Sequence, residues 1–112
     1  MTLFYLHVGF MLTAFGAVLA GITIARSLRK QGWWLMAHRR TAYAGVAAMA
    51  AGLLAAVAMI SFSGSEHFET PHTWVGGLTF LSAGTTLAFG LSLLRFPARA
   101  AVMRPFHRRL GR

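Results

Sequence analysis

Histidine is the residue type that gives this chain its chemical options. Four of its five histidines, His7, His38, His72 and His107, are separated by 31, 34 and 35 residues, each step close to one helix plus one loop. A neutral imidazole can keep one nitrogen for a metal while the other carries the proton, which makes it the commonest side-chain metal ligand. The fifth, His67, stands in a polar stretch with Glu66 and Glu69, the only two carboxylates in the chain. It reads as a solvated loop residue that is also a possible substitute for His72. The absence of cysteine excludes disulfides, thiolate metal sites and iron–sulfur clusters. No separate nucleophile or acid–base pair is evident, so the chain reads as a carrier or accessory subunit before it reads as a catalyst.

The elements that hold these histidines are apolar. Of the 112 residues 56% are hydrophobic and 12% charged, with a mean hydropathy of +0.58. Three runs, Leu3 to Ala25, Thr41 to Phe62 and Thr73 to Leu94, contain no Asp, Glu, Lys or Arg. About twenty helical residues cross a hydrocarbon core about 30 Å thick. In lipid each backbone amide must be satisfied within its own segment, so the runs should be helices. The expected fold is one all-α membrane domain over 1–112. Three transmembrane helices, at about 3–25, 41–62 and 72–94, form an up-down-up bundle, and a basic interfacial segment follows over 95–112. The first run lacks a charged leader and is too long for a signal-peptide core, so it reads as a retained helix. Ala and Gly, as at Gly45, Ala48 and Gly52, suit close helix packing.

The net charge of +9 is unevenly placed. Arg26, Arg29, Lys30, Arg39 and Arg40 lie in the first loop; Arg95, Arg99, Arg104, Arg108, Arg109 and Arg112 follow the third run. Such asymmetry is the positive-inside pattern rather than a nucleic-acid surface. It places the N-terminus outside, the first loop inside, the second loop outside and the C-terminus inside. Trp33 and Trp34 read as an aromatic belt at the inner surface, with Gln31 to Met36 along the interface.

Each histidine has a plain reading beside the chemical one. His7 shares a face with Met11, Ala14 and Val18, and is either an interfacial residue or a ligand; an ionisable group in a span favours function. His38, beside Arg39 and Arg40, would read as a solvated loop residue if it stood alone. His72 is fixed at the start of the third helix by Thr70 as N-cap and Pro71 in the first helical position. After Leu94 the chain turns at Phe96-Pro97. Ala98 to Val102 reads as a short surface segment, and Pro105 as a restart of the chain.

The topology puts His7 and His72 near the outer face and His38 and His107 near the inner one. Two imidazoles facing each other across a bundle are the usual axial ligands of a six-coordinate haem b, tuned by burial and hydrogen bonding. Gly9, Gly76 and Gly77 offer room beside the outer pair. Arg39, Arg40, Arg108 and Arg109 are cations for haem propionates inside; Tyr5, Thr70, Thr73 and Trp74 are hydrogen-bond donors outside.

The order of motifs resembles cytochrome b561 and its prokaryotic four-helix relatives. His7-Val8-Gly9-Phe10-Met11 is similar to the first family motif, and His38 at the mouth of helix two to the second. Phe68-Glu69-Thr70-Pro71-His72-Thr73-Trp74-Val75-Gly76 is similar to the third, where His-Ser-Trp-x-Gly is typical. Arg104-Pro105-Phe106-His107-Arg108-Arg109-Leu110-Gly111 is similar to the fourth. The resemblance implies that the first histidine pairs with the third and the second with the fourth. It also implies two b haems, one near each face, that pass electrons across the bilayer. In that family the fourth helix runs on for about twenty apolar residues after its histidine. Here five residues follow His107. The expectation is therefore a lost inner site, a sequence cut short, or a partner subunit or second copy that supplies the missing wall.

The competing readings are a non-redox accessory subunit of a respiratory or photosynthetic complex, and a variant of it with single histidines on chlorophyll-type magnesium. A small transporter is disfavoured: the spans carry no charge, no broken-helix pair and no repeat beyond the histidine spacing.

Overall fold

A computed structural model describes residues 1–111. The three apolar runs form α1 (Thr2–Ser27), α2 (Trp34–Ser63) and α3 (Pro71–Arg95), and a 3-10 turn at Pro97–Arg99 leads into α4 (Ala100–Leu110). At 1.5 Å per residue the 26, 30 and 25 residues of the first three are each longer than the hydrocarbon core. All three are long and apolar enough to span a membrane. The longest dimension, 48 Å, matches a bilayer with its headgroups.

Packing is that of a lipid-solvated bundle. The only buried hydrophobic residues are Ala14, Met49 and Ala55 among those described, while Leu12, Leu54 and Phe62 are more than 60% exposed. In water such a surface would drive aggregation; in lipid it faces acyl chains, and small residues set the helix contacts. The seam between α1 and α2 is built this way. A Cβ on Gly45 would lie 3.4 Å from Val18 and 3.5 Å from Ala17, and one on Gly52 would lie 3.1 Å from Met11. The face carrying His7, Met11, Ala14 and Val18 is thus the face that meets α2. By contrast α3 buries no residue.

Three expectations from the sequence change. Helix α2 starts at Trp34, not Thr41, so His38 lies inside the helix rather than before it. Charge at Arg39 and Arg40 marks the edge of the apolar slab, but a helix passes through the headgroup layer without interruption. α4 runs through Pro105 instead of restarting there. Proline lacks the N–H that would bond the Ala101 carbonyl, and Ala101 is exposed, so that carbonyl is open to water. Thr70 does occupy the N-cap of α3, with Pro71 in its first turn, but the Thr70 side chain makes no capping bond. The Thr73 hydroxyl instead donates to the Thr70 carbonyl at 2.7 Å. Arg112, counted in the basic cluster, lies outside the described residues.

Candidate functional site

The four spaced histidines meet as two pairs. The ring centroids of His7 and His72 are 6.1 Å apart with planes at 86°. Those of His38 and His107 are 6.2 Å apart, also at 86°. A metal bound between two imidazoles by bonds of about 2.0–2.1 Å, with about 1.1 Å from each nitrogen to its ring centre, sets centroids about 6.2 Å apart. Both pairs have this separation.

The paired histidines stand on helices that do not pack directly against each other. No Cα of α1 lies within 8 Å of one in α3, and none of α2 within 8 Å of one in α4. Directly packed helices have axes only about 8–10 Å apart. Each histidine pair therefore bridges a gap between backbones that do not touch. Gly76, one turn after His72, has nothing within 4 Å of where its Cβ would be. Gly9, expected to make room beside His7, lies 200° around α1 from it and does not line that face.

Backbone carbonyls orient three of the rings. His7 Nδ1 is 2.9 Å from the Gly52 oxygen, His38 Nδ1 is 2.9 Å from the Gly21 oxygen, and His107 Nδ1 is 2.9 Å from the Thr86 oxygen. A carbonyl only accepts, so each Nδ1 carries a proton, and in the neutral ring Nε2 is the nitrogen left with a lone pair for a metal. Gly21 and Gly52 permit the approach, and the His107 ring lies against Gly90, whose Cβ would stand 3.0 Å from His107 Cε1. These acceptors are residues the sequence reading missed. Their signal is a register: positions 7 to 21, 38 to 52 and 72 to 86 are each fourteen residues apart. Fourteen residues rise about 21 Å along a helix, so the two pairs lie at well-separated depths.

The remaining candidates are peripheral. Arg39 and Arg40 line a shallow hollow with Met36 and Tyr43 on α2, and Arg108 lines another with Ala101, Arg104, Pro105 and Arg109 on α4. Neither hollow includes a histidine. His67 is exposed, with Nε2 3.4 Å from the Ser61 hydroxyl, and takes no part in either pair. Trp74 is engaged locally, its indole N–H donating to the Phe68 carbonyl at 3.0 Å. On α2, Trp34 stands 6.4 Å from the His38 ring, and Arg29 lies over its face at 5.6 Å.

Imidazoles paired across gaps, in a chain without cysteine, fit the axial ligation of haem iron. The family model described as eukaryotic cytochrome b561 matches residues 3–112. No curated protein and no solved structure matches the chain. With three apolar spans and a match over nearly its whole length, this chain is an integral membrane protein of the cytochrome b561 family, whose members bind b-type haem and transfer electrons across membranes.

Proposed function

We propose that the chain is a small b-type cytochrome that carries electrons between two bis-histidine centres. His7 and His72 are the iron ligands of the outer one, His38 and His107 those of the inner one. The observation that carries this reading is the geometry of the two pairs, 6.1 and 6.2 Å between ring centres. A pigment on single histidines would give no reason for the rings to pair. Bound haem supplies a one-electron ferric–ferrous couple at each level. The protein orients the imidazoles through Gly52, Gly21 and Thr86 and keeps Nε2 free.

Arg39 and Arg40, next to His38 in α2, and Arg108, next to His107 in α4, are the cations that would be available to haem propionates at the inner end. Basic residues at that end support an orientation with the N-terminus periplasmic and the C-terminus cytoplasmic, in a bacterial cytoplasmic membrane. The bare apolar flank of α3 suits a small subunit that packs against other membrane subunits or a second copy. A dithionite-reduced-minus-oxidised spectrum with haem counted per chain tests the reading. Wild-type protein shows sharp reduced bands. His7→Ala and His72→Ala each remove the outer contribution, and His38→Ala and His107→Ala the inner one. Unchanged haem content in all four variants would refute the assignment.

A further inference from the structure

The arginines of α4 have no side-chain counter-ion near them. The only acidic side chains, Glu66 and Glu69, stand in the loop before α3. α4 folds back along the other end of α3, where His107 bonds the Thr86 carbonyl and Phe106 stacks on Phe89 with ring centres 5.9 Å apart. Thr86 lies fifteen residues after Pro71 in α3, a rise of about 22 Å. That is well beyond the Debye length of about 8 Å at physiological salt. Arg104 and Arg108, one helical turn apart, repel each other, and Arg109 adds a third charge beside them.

These three arginines line one hollow of about 280 Å³, together with Ala101 and Pro105. At about 100° per residue, Ala101, Pro105, Arg108 and Arg109 fall about 100–200° around α4 from His107. The hollow therefore opens away from the face that meets α3. Two further features decide what kind of anion fits it. Val102, Phe106 and Leu110 are exposed and continue round the helix beyond Arg109, an apolar ridge beside the charged hollow. A free inorganic ion gains nothing from such a ridge, whereas an amphiphile lays an acyl chain along it. Pro105 has no N–H, so the Ala101 carbonyl, at the edge of the hollow, lacks its helical donor. The hollow thus offers three guanidinium forks and one open acceptor.

We propose that this hollow binds the headgroup of an anionic phospholipid. Arg104, Arg108 and Arg109 hold the phosphate oxygens through charge-assisted hydrogen bonds. A headgroup hydroxyl donates to the Ala101 carbonyl. Bound lipid cancels the repulsion along α4 and steadies the helix that carries His107. The site contains none of the paired histidines and stands whether or not the chain carries haem.

The test uses the full chain in dodecyl maltoside micelles, with retained lipid counted per chain by native mass spectrometry. The probes are dioleoylphosphatidylglycerol, which bears headgroup hydroxyls, dioleoylphosphatidylethanol, of equal charge without one, and sodium phosphate. The expected result is one phosphatidylglycerol per chain, bound several-fold more tightly than phosphatidylethanol and not displaced by millimolar phosphate. Arg104→Gln/Arg109→Gln weakens it about tenfold or more, the scale set by two cations at a lipid surface. Arg26→Gln/Lys30→Gln removes the same charge from the first loop and leaves it unchanged. Pro105→Ala keeps every charge, restores the N–H and favours the helix, and it abolishes the preference for phosphatidylglycerol over phosphatidylethanol. Equal losses in the two double variants would reveal a diffuse field and overturn the proposal. Equal binding of the two lipids by wild type, or displacement by phosphate, would overturn it as well.

Discussion

The Nδ1 of His7 lies 2.9 Å from the carbonyl oxygen of Gly52, a residue 45 positions away on the neighbouring helix. The bond couples two roles. Gly52 lets α1 and α2 approach, and that approach delivers the carbonyl that orients the His7 ring. Packing of α1 on α2 and orientation of the His7 ring are therefore one structural feature.

Gly52→Val should separate these helices. A Cβ there would stand 3.1 Å from Met11 Cε and 3.2 Å from Phe10 Cβ, and the Phe10 atom is fixed to the backbone. The His7 bond lengthens or breaks, and haem affinity at the outer pair falls about 10–100-fold. Haem titration of the apoprotein measures this. An outer affinity equal to wild type would show that the Gly52 carbonyl does not support the ligand.

Gly90→Ala makes the matching test at the inner pair. Its Cβ would stand 3.0 Å from His107 Cε1, so the ring must shift and its bond to Thr86 weakens. Inner haem binding drops by at least about tenfold, as for other losses of an outer-sphere partner. Gly84→Ala is the control on the same helix, because nothing lies within 4 Å of its Cβ position. Haem content and thermal stability of that control match wild type. Equal losses in both variants would point to general destabilisation of α3 instead.

The ring planes predict a spectroscopic signature. At 86° in both pairs, two imidazoles bound to one iron would interact equally with its two dπ orbitals and leave them nearly degenerate. Oxidised protein should then give highly anisotropic low-spin signals in low-temperature electron paramagnetic resonance. An ordinary rhombic low-spin spectrum would mean that the rings turn coplanar when iron is bound.

Trp74→Phe removes the indole N–H that holds the Phe68 carbonyl. Phe68 has a φ of 68°, a left-handed conformation unusual for a bulky residue, and its ring lies 5.0 Å from that of Trp74. Loss of the bond costs about 0.5–1.5 kcal/mol, felt in the loop between Ser63 and Pro71. Amide exchange at Phe68 to Pro71 should accelerate while the α1–α2 seam stays protected. Uniform acceleration across the chain would contradict a local clamp.

Much of the architecture is legible in the residues themselves. Runs without charge, each longer than a bilayer core, dictate helices because lipid offers backbone amides no other partner. The placement of Arg and Lys at one end is equally local. Even the histidine spacing is legible, since one span plus one loop returns the chain to the opposite face each time. Helix ends are not: charge at Arg39 and a proline at position 105 mark changes of solvent and of one hydrogen bond, and the helices continue through both.

Only the tertiary structure decides that the paired rings stand just over 6 Å apart across gaps where the backbones separate. It also supplies the carbonyls of Gly21, Gly52 and Thr86, which no side-chain pattern announces because every residue has one. Their selection depends on how far α1 slides along α2, and α3 along α4. That slide is set by small residues packing between helices, a relation between distant positions rather than a property of either.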